Sequence, residues 1–317
     1  MPVDPQLQLV LDMINAQPAQ DWTKERAPEF RQVFDSLVTQ LGEGPAHVTA
    51  EDRTIPGPAG EIPIRVYRPD GVERPGVCVY YHGGGFVIGS IATHDRDCRM
   101  LADQARCIVV SVEYRLAPED PFPAAPDDCY AALEWVAAHA EELGGDPSRL
   151  AVAGDSAGGN LTAVTALRAR DRSGPELAFQ LLVYPVVDMT PSMEEPKYAS
   201  MLENAEGYFL TLADMQFFAD CYVPDDAMRT DPSASPILAD SLEGLPPALV
   251  LTCEFDPLRD QGEAYAKALA DAGVPVTLNR YDGAIHGVMG MAMITEIGGR
   301  FISEAALALG VAIGGPS

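Results

Sequence analysis

Seven short runs rich in β-branched and aromatic residues punctuate the chain: Ile64 to Tyr67, Val77 to Tyr81, Ile108 to Tyr114, Leu150 to Ala153, Gln180 to Tyr184, Leu249 to Cys253 and Val276 to Tyr281. They read as strands. Helical periodicity fills several of the intervals, over Asp95 to Gln104, Pro126 to Leu143, Ala157 to Asp171, Pro257 to Ala272 and Ile294 to Leu309. Strand and helix alternate, so the chain is expected to be α/β, with a mainly parallel central sheet flanked by helices on both faces. Two segments break the rhythm. Residues 1 to about 45 look helical and have no strand partner, and residues about 187 to 230 carry Tyr198, Met201, Tyr208, Phe209, Met215, Phe217 and Phe218 without strand signals. Spacing alone leaves a cap over the sheet and a pair of packed surface helices level with each other. With no internal repeat, low-complexity tract or Gly/Ser linker, composition supports one elaborated domain instead of two.

Composition removes several function classes. With 317 residues, 47% of them apolar, the chain can bury a large core. Its formal charge of −26 makes a nucleic-acid partner unexpected, because such a surface repels phosphates. An acidic surface is ordinarily a solvated face; adaptation to a saline milieu is the alternative. Apolar stretches such as Gly287 to Ile294 and Ala305 to Ile313 fall short of the roughly 18 residues a membrane span needs. Met1 to Gln20 holds Asp4 and Asp12 and no cation, unlike a secretory signal, so a cytoplasmic location is the expectation. Six cysteines, Cys78, Cys98, Cys107, Cys129, Cys221 and Cys253, lack C-x-x-C pairing and read as buried free thiols.

Chemistry enters where the run Leu150 to Ala153 meets Gly154-Asp155-Ser156-Ala157-Gly158-Gly159-Asn160 and a helical pattern follows. This is a G-x-S-x-G nucleophile elbow in strand-turn-helix context, which would leave Ser156 exposed at the strand's end. A turn this sharp brings neighbouring backbone against Gly154 and Gly158, where a Cβ would clash. Taken alone, the motif is also compatible with a glycine-rich turn carrying an incidental serine; no GK[ST] follows, which disfavours a phosphate-binding loop. Upstream, Val77 to Tyr81 runs into His82-Gly83-Gly84-Gly85-Phe86, a glycine loop of the kind that donates main-chain N–H groups to an oxyanion.

A serine nucleophile needs a base, and the base needs an orienting carboxylate. After Ser156 the remaining histidine is His286, just beyond the strand expected to end at Tyr281. Of the three carboxylates around the preceding strand's end, Asp256 is the choice, because the strand gives way there and Pro257 opens the next helix. Glu254 is expected still within the strand, and Asp260 in the helix's first turn. His82 is expected to fix its loop by hydrogen bonding. His47, His94 and His139 show no paired carboxylate pattern and read as ordinary surface or helix residues, while Glu119, Asp127 and Asp128 precede the nucleophile and read as structural.

From Ile62 to the C-terminus the chain resembles the bacterial hormone-sensitive lipase family of α/β-hydrolase esterases. The resemblance rests on His82 to Phe86, Tyr114-Arg115-Leu116-Ala117-Pro118-Glu119 with Phe122-Pro123-Ala124-Ala125, Gly154 to Asn160, Asp256 to Asp260 and His286-Gly287, in that order. Glu113 stands where the family often has an aspartate before its tyrosine. The resemblance implies an α/β-hydrolase fold with a helical cap built from residues 1–45 and from 187–230 inserted in a 46–317 catalytic domain. It implies Ser156 as nucleophile, Asp256 as acid, His286 as base, and the amides of Gly84, Gly85 and Ala157 as the oxyanion hole. The activity implied is that of a carboxylesterase acting on small-molecule esters of short-to-medium acyl chains, without cofactor or metal. Two rivals are a non-catalytic receptor, against which the intact Ser156, Asp256 and His286 argue, and an amidase or lyase on the same scaffold, the lyase disfavoured by Ser in place of Thr. The last strand should be an edge, and pairing through it would make a homodimer.

Overall fold

The strands form because β-branched and apolar residues at alternate positions can be buried on both sides of a pleated ribbon. In the computed structural model, which describes residues 2–17 and 21–315, they assemble one eight-stranded sheet in the order β1-β2-β4-β3-β5-β6-β7-β8. The strands are β1 (Thr49–Gly57), β2 (Gly60–Arg68), β3 (Val77–Tyr81), β4 (Ile108–Val112), β5 (Leu150–Asp155), β6 (Phe179–Val183), β7 (Ala248–Phe255) and β8 (Val276–Ile285). From β4 across to β8 the ladders are parallel; β1 and β2 form an antiparallel hairpin, and β2 joins β4 antiparallel. Met1 and residues 18–20 of the expected cap, and 316–317 of the expected catalytic domain, lie outside the described residues.

Period two sorts the central side chains onto two cores. Val77, Val79 and Tyr81 of β3, with Val152 of β5 and Leu182 of β6, face one core. That side is covered by α4 (Ala124–His139), α5 (Ala157–Asp171) and α8 (Arg259–Asp271), which contribute Leu133, Leu161 and Leu269. Cys78 and Tyr80, with Ala151 and Leu181, face the other. There α3 (Asp95–Ala105) and α9 (Glu296–Ile313) supply Leu101, Phe301 and Leu309. Helices lie on both faces of a mainly parallel sheet, as the alternation predicts.

The remaining helices are α1 (Pro5–Asn15), α2 (Ala27–Val38), α6 (Ala199–Glu203) and α7 (Leu212–Tyr222). Leu7 and Leu11 of α1 join the core that holds α9, whereas Phe30 of α2 joins the other. Trp22, ahead of α2, stacks on Phe217 of α7 at 5.1 Å, so the two segments that broke the sequence rhythm pack together. All six cysteines are buried and free. No helix among the described residues is long and apolar enough to cross a membrane.

Three expectations about the strands need correction. The seven-strand reading missed β1, and it started β2 at Ile64 although pairing begins at Gly60. Along β1 only Ile55 is buried, so the strand carries no apolar alternation to read. The last strand, read as ending at Tyr281, runs to Ile285, because Phe255 pairs with Ile285 beyond a register shift after Cys253. It does form the sheet's edge.

Candidate active site

Parallel strands deliver their C-terminal ends to one rim, and every residue singled out for chemistry sits there. Ser156 follows β5 directly, with a left-handed backbone (φ 55°, ψ −114°) that a bulky residue rarely adopts and that marks a strained turn. The turn closes only because its flanks are glycine. A Cβ on Gly154 would overlap the Gly158 carbonyl, and one on Gly158 would overlap the carbonyl of Tyr81. Ser156 N–H donates to Val183 O at 2.8 Å, tying the elbow to β6.

His286 is the first residue after β8 and Asp256 the first after β7. The imidazole Nε2 lies 3.0 Å from Ser156 Oγ, and Nδ1 lies 2.7 Å from Asp256 Oδ2. Asp256 is fully buried, and its other carboxylate oxygen accepts from Leu258 N–H at 2.8 Å. Both oxygens of the carboxylate are thus engaged, which fixes the plane in which it meets the imidazole. With Nδ1–H directed at Asp256, Nε2 is left as the acceptor facing the hydroxyl.

The glycine loop rises beside the elbow. Gly84 and Gly85 both have positive φ (120° and 60°), and a Cβ on Gly84 would overlap the Ile88 carbonyl. Among the hydrogen bonds of the described residues, none engages the N–H groups of Gly84, Gly85 or Ala157. The loop is held from outside: Arg31 of α2 donates to Val87 O at 2.7 Å and to Ala117 O at 2.8 Å, and Ala117 N–H donates to Phe86 O at 2.9 Å. Phe86 stacks on Tyr222 of α7 at 3.6 Å. His82 fixes the loop as expected, with its Nδ1 2.8 Å from Gly83 O and its ring stacked on Tyr114 at 4.3 Å. Burial, with the His94 charge nearby, pushes the His82 pKa down to about 3, so it stays neutral.

Two side chains at this rim escaped the sequence reading. Asp155, between Gly154 and the nucleophile, is buried, and its Oδ1 accepts from Gly83 N–H at 2.9 Å and Tyr80 OH at 2.7 Å. A carboxylate closing an otherwise apolar buried strand was the available signal. His94, read as an ordinary residue without a carboxylate, is instead buried with Nε2 3.5 Å from Asp155 Oδ1. His47 likewise has a partner, Asp103 at 2.7 Å, but is exposed. The other carboxylates fall where expected. Asp128 takes a two-point pair from Arg115, Asp127 pairs with Arg168 and Glu119 with Arg31. Glu254 lies in β7, and Asp260 sits in the first turn of α8, accepting from Ser200 N–H at 2.8 Å.

The sequence signature of the alpha/beta hydrolase fold matches residues 78–290, spanning the glycine loop, the elbow and His286. The chain belongs to the hormone-sensitive-lipase-like α/β-hydrolases. Among relatives of this hydrolase, Carboxylic ester hydrolase LipN of Mycobacterium tuberculosis is 47% identical over 77% of the chain and 65% of its own length. Carboxylesterase NlhH of the same species is 43% identical over 92% of the chain and 90% of its own length. A hyperthermophilic esterase from the archaeon Pyrobaculum calidifontis superposes with a TM-score of 0.92 at 44% identity, covering 98% of this chain and 99% of that one.

Proposed function

We propose that the hydrolase is a serine carboxylesterase that cleaves short-to-medium-chain acyl esters through an acyl-enzyme. The observation that carries this reading is the unbroken hydrogen-bond line from Asp256 through His286 to Ser156, at 2.7 and 3.0 Å. The ester-hydrolase names of relatives that share most of the chain support it.

Ser156 Oγ attacks the ester carbonyl while His286 Nε2 takes its proton, and the carbonyl oxygen, now negative, is received by the N–H groups of Gly84, Gly85 and Ala157. Ala157 opens α5, so the positive end of that helix adds to the same field. The imidazolium, steadied by Asp256, protonates the alkoxide as it leaves. Water then enters, His286 removes its proton, and the second tetrahedral intermediate collapses to release the acid and free Ser156.

The segments before residue 46 and over 187–230 act as the cap. Phe218 of α7 lies against Gly85, and Phe209 lies against Gly287 beside the base, so apolar rings flank both sides of the reacting centre. Such rings suit a short apolar acyl chain. We further propose that β8, exposed at the sheet's edge, pairs with its counterpart in a homodimer.

Hydrolysis of p-nitrophenyl esters of increasing acyl length, by the wild type and by Ser156→Ala, tests the central reading. Turnover peaking on short chains and vanishing in the variant is the expected result. A folded wild type without turnover overturns it.

A further inference from the structure

We propose that Asp155 and His94 form a buried ion pair that holds the oxyanion loop in register with Ser156, making both positioning residues for the reaction. Neither side chain is hydrogen-bonded to Ser156 or His286. The inference rests on the esterase reading given above and adds a task for two residues which that reading leaves idle.

Asp155 stands at the junction of the two chain segments around the oxyanion loop. Its main chain leads directly into Ser156 and Ala157, and its side chain turns back to Gly83, the residue before Gly84 and Gly85. One residue therefore joins the two strands of chain that supply the oxyanion donors. The contact is close: a Cβ on Gly83 would overlap Asp155 Oδ2. Two hydrogen bonds reach Oδ1, from Gly83 N–H at 2.9 Å and Tyr80 OH at 2.7 Å, and His94 Nε2 lies 3.5 Å from the same oxygen. A buried carboxylate bound only to neutral donors carries a desolvation cost that a cationic partner offsets.

The geometry around His94 supplies that cation. Its Nδ1 lies 2.9 Å from Thr93 Oγ1, whose own proton goes to Ser90 O at 2.9 Å, so the hydroxyl accepts and Nδ1 donates. Ser90 O, also 3.4 Å from Nδ1, is an acceptor as well. Nε2 faces a carboxylate. With acceptors opposite both nitrogens, the ring is an imidazolium. The surroundings agree: burial alone would lower the His94 pKa, yet the Asp155 carboxylate leaves it raised, while burial's upward push on Asp155 is outweighed by His94. Other groups facing His94 are Asp97 in the first turn of the α3 helix that His94 caps, Glu113 beyond β4 and the neutral His82 ring 5.4 Å away.

A loop of left-handed glycines has little stiffness of its own, and displacing a donor by about 1 Å can cost on the order of 100-fold in rate. The pair therefore acts on turnover more than on substrate binding.

The test compares wild type, Ser156→Ala, His94→Gln, His94→Leu, Asp155→Asn and the His94→Gln/Asp155→Asn double variant on p-nitrophenyl butyrate, with thermal midpoints measured in parallel. A second readout is the rate at which a p-nitrophenyl phosphonate labels Ser156, since its oxygen also requires the oxyanion donors. The expected result is kcat and labelling lowered together by roughly 10- to 100-fold in His94→Gln, with KM within about threefold. His94→Leu should lose more, and the double variant no more than Asp155→Asn alone. Wild-type kcat in folded His94→Gln, or a change in KM only, overturns the proposal. So does a nitrogen-15 spectrum of the wild type at pH 7 showing His94 neutral, a measurement independent of how the variants fold. A wild type that fails to hydrolyse the ester would instead sink the underlying esterase reading.

Discussion

At the nucleophile the chain accepts φ 55° on a residue with a side chain, and only the two glycines beside it make that possible. Gly158→Ala should accordingly destabilise the fold by on the order of 3 kcal/mol, because the Tyr81 carbonyl, fixed in the ladder of β3, cannot move aside. Urea unfolding would read this as a lower midpoint at unchanged slope. Asp256→Asn keeps the shape but takes away the charge and the tautomer control, and kcat should fall by roughly three to four orders of magnitude. His82 yields a pH prediction. Held neutral down to about pH 3 against an ordinary 6.5, it refuses a proton that the unfolded chain accepts. Its contribution to stability is full above pH 6.5 and is lost as the pH falls towards 3. Asp97, pushed up to about 6 by burial, works in the opposite sense between pH 6 and 3.8. Thermal midpoints of His82→Gln should therefore depend less steeply on pH between 6.5 and 3 than those of the wild type.

Among the elements, α7 carries the contacts that matter most to the site, since Phe218 covers Gly85 and Phe217 stacks on Trp22. Phe218→Ala should open the space above the oxyanion loop and move the preferred p-nitrophenyl ester towards longer acyl chains, with turnover of the new optimum retained. An unchanged chain-length profile would remove Phe218 from the pocket wall. Legibility of the elements followed burial. The central strands β3, β4, β5 and β6 are buried along their whole length and were read from apolar runs. β1 was not, because its neighbours on both faces are mostly solvent and its residues Thr49 to Arg53 have no reason to be apolar. What makes it a strand is its ladder to β2, closed by a two-residue turn at Pro58-Ala59.

For the whole molecule, a net charge of −26 means that carboxylates repel one another across the surface even though many meet arginines, as in Arg65 with Asp52 and Arg280 with Glu263. Screening should relieve that repulsion, so the thermal midpoint should rise between about 0.01 and 0.5 M sodium chloride. Activity that rises with salt and then holds would favour adaptation to a saline milieu. Light scattering should give twice the chain mass of 33.9 kDa, and Leu278→Lys on the exposed edge of β8 should shift it towards the monomer.

Local patterns determined the alternation of strand and helix, the elbow at Ser156, the glycine loop and the choice of Asp256 and His286, because each of these is a short-range requirement: period two, a turn without Cβ atoms, a carboxylate where a strand ends. Only the tertiary structure decided what lies opposite what. Asp155 is a motif residue whose partner Gly83 is 72 positions away, and His94 reaches it from the residue just before α3, where nothing local signals the contact. Trp22 meets Phe217 from nearly two hundred positions away in the sequence. Such pairings depend on how the strands are ordered in the sheet, β4 beside β3 and β3 beside β5, and that order is set by burying two cores at once.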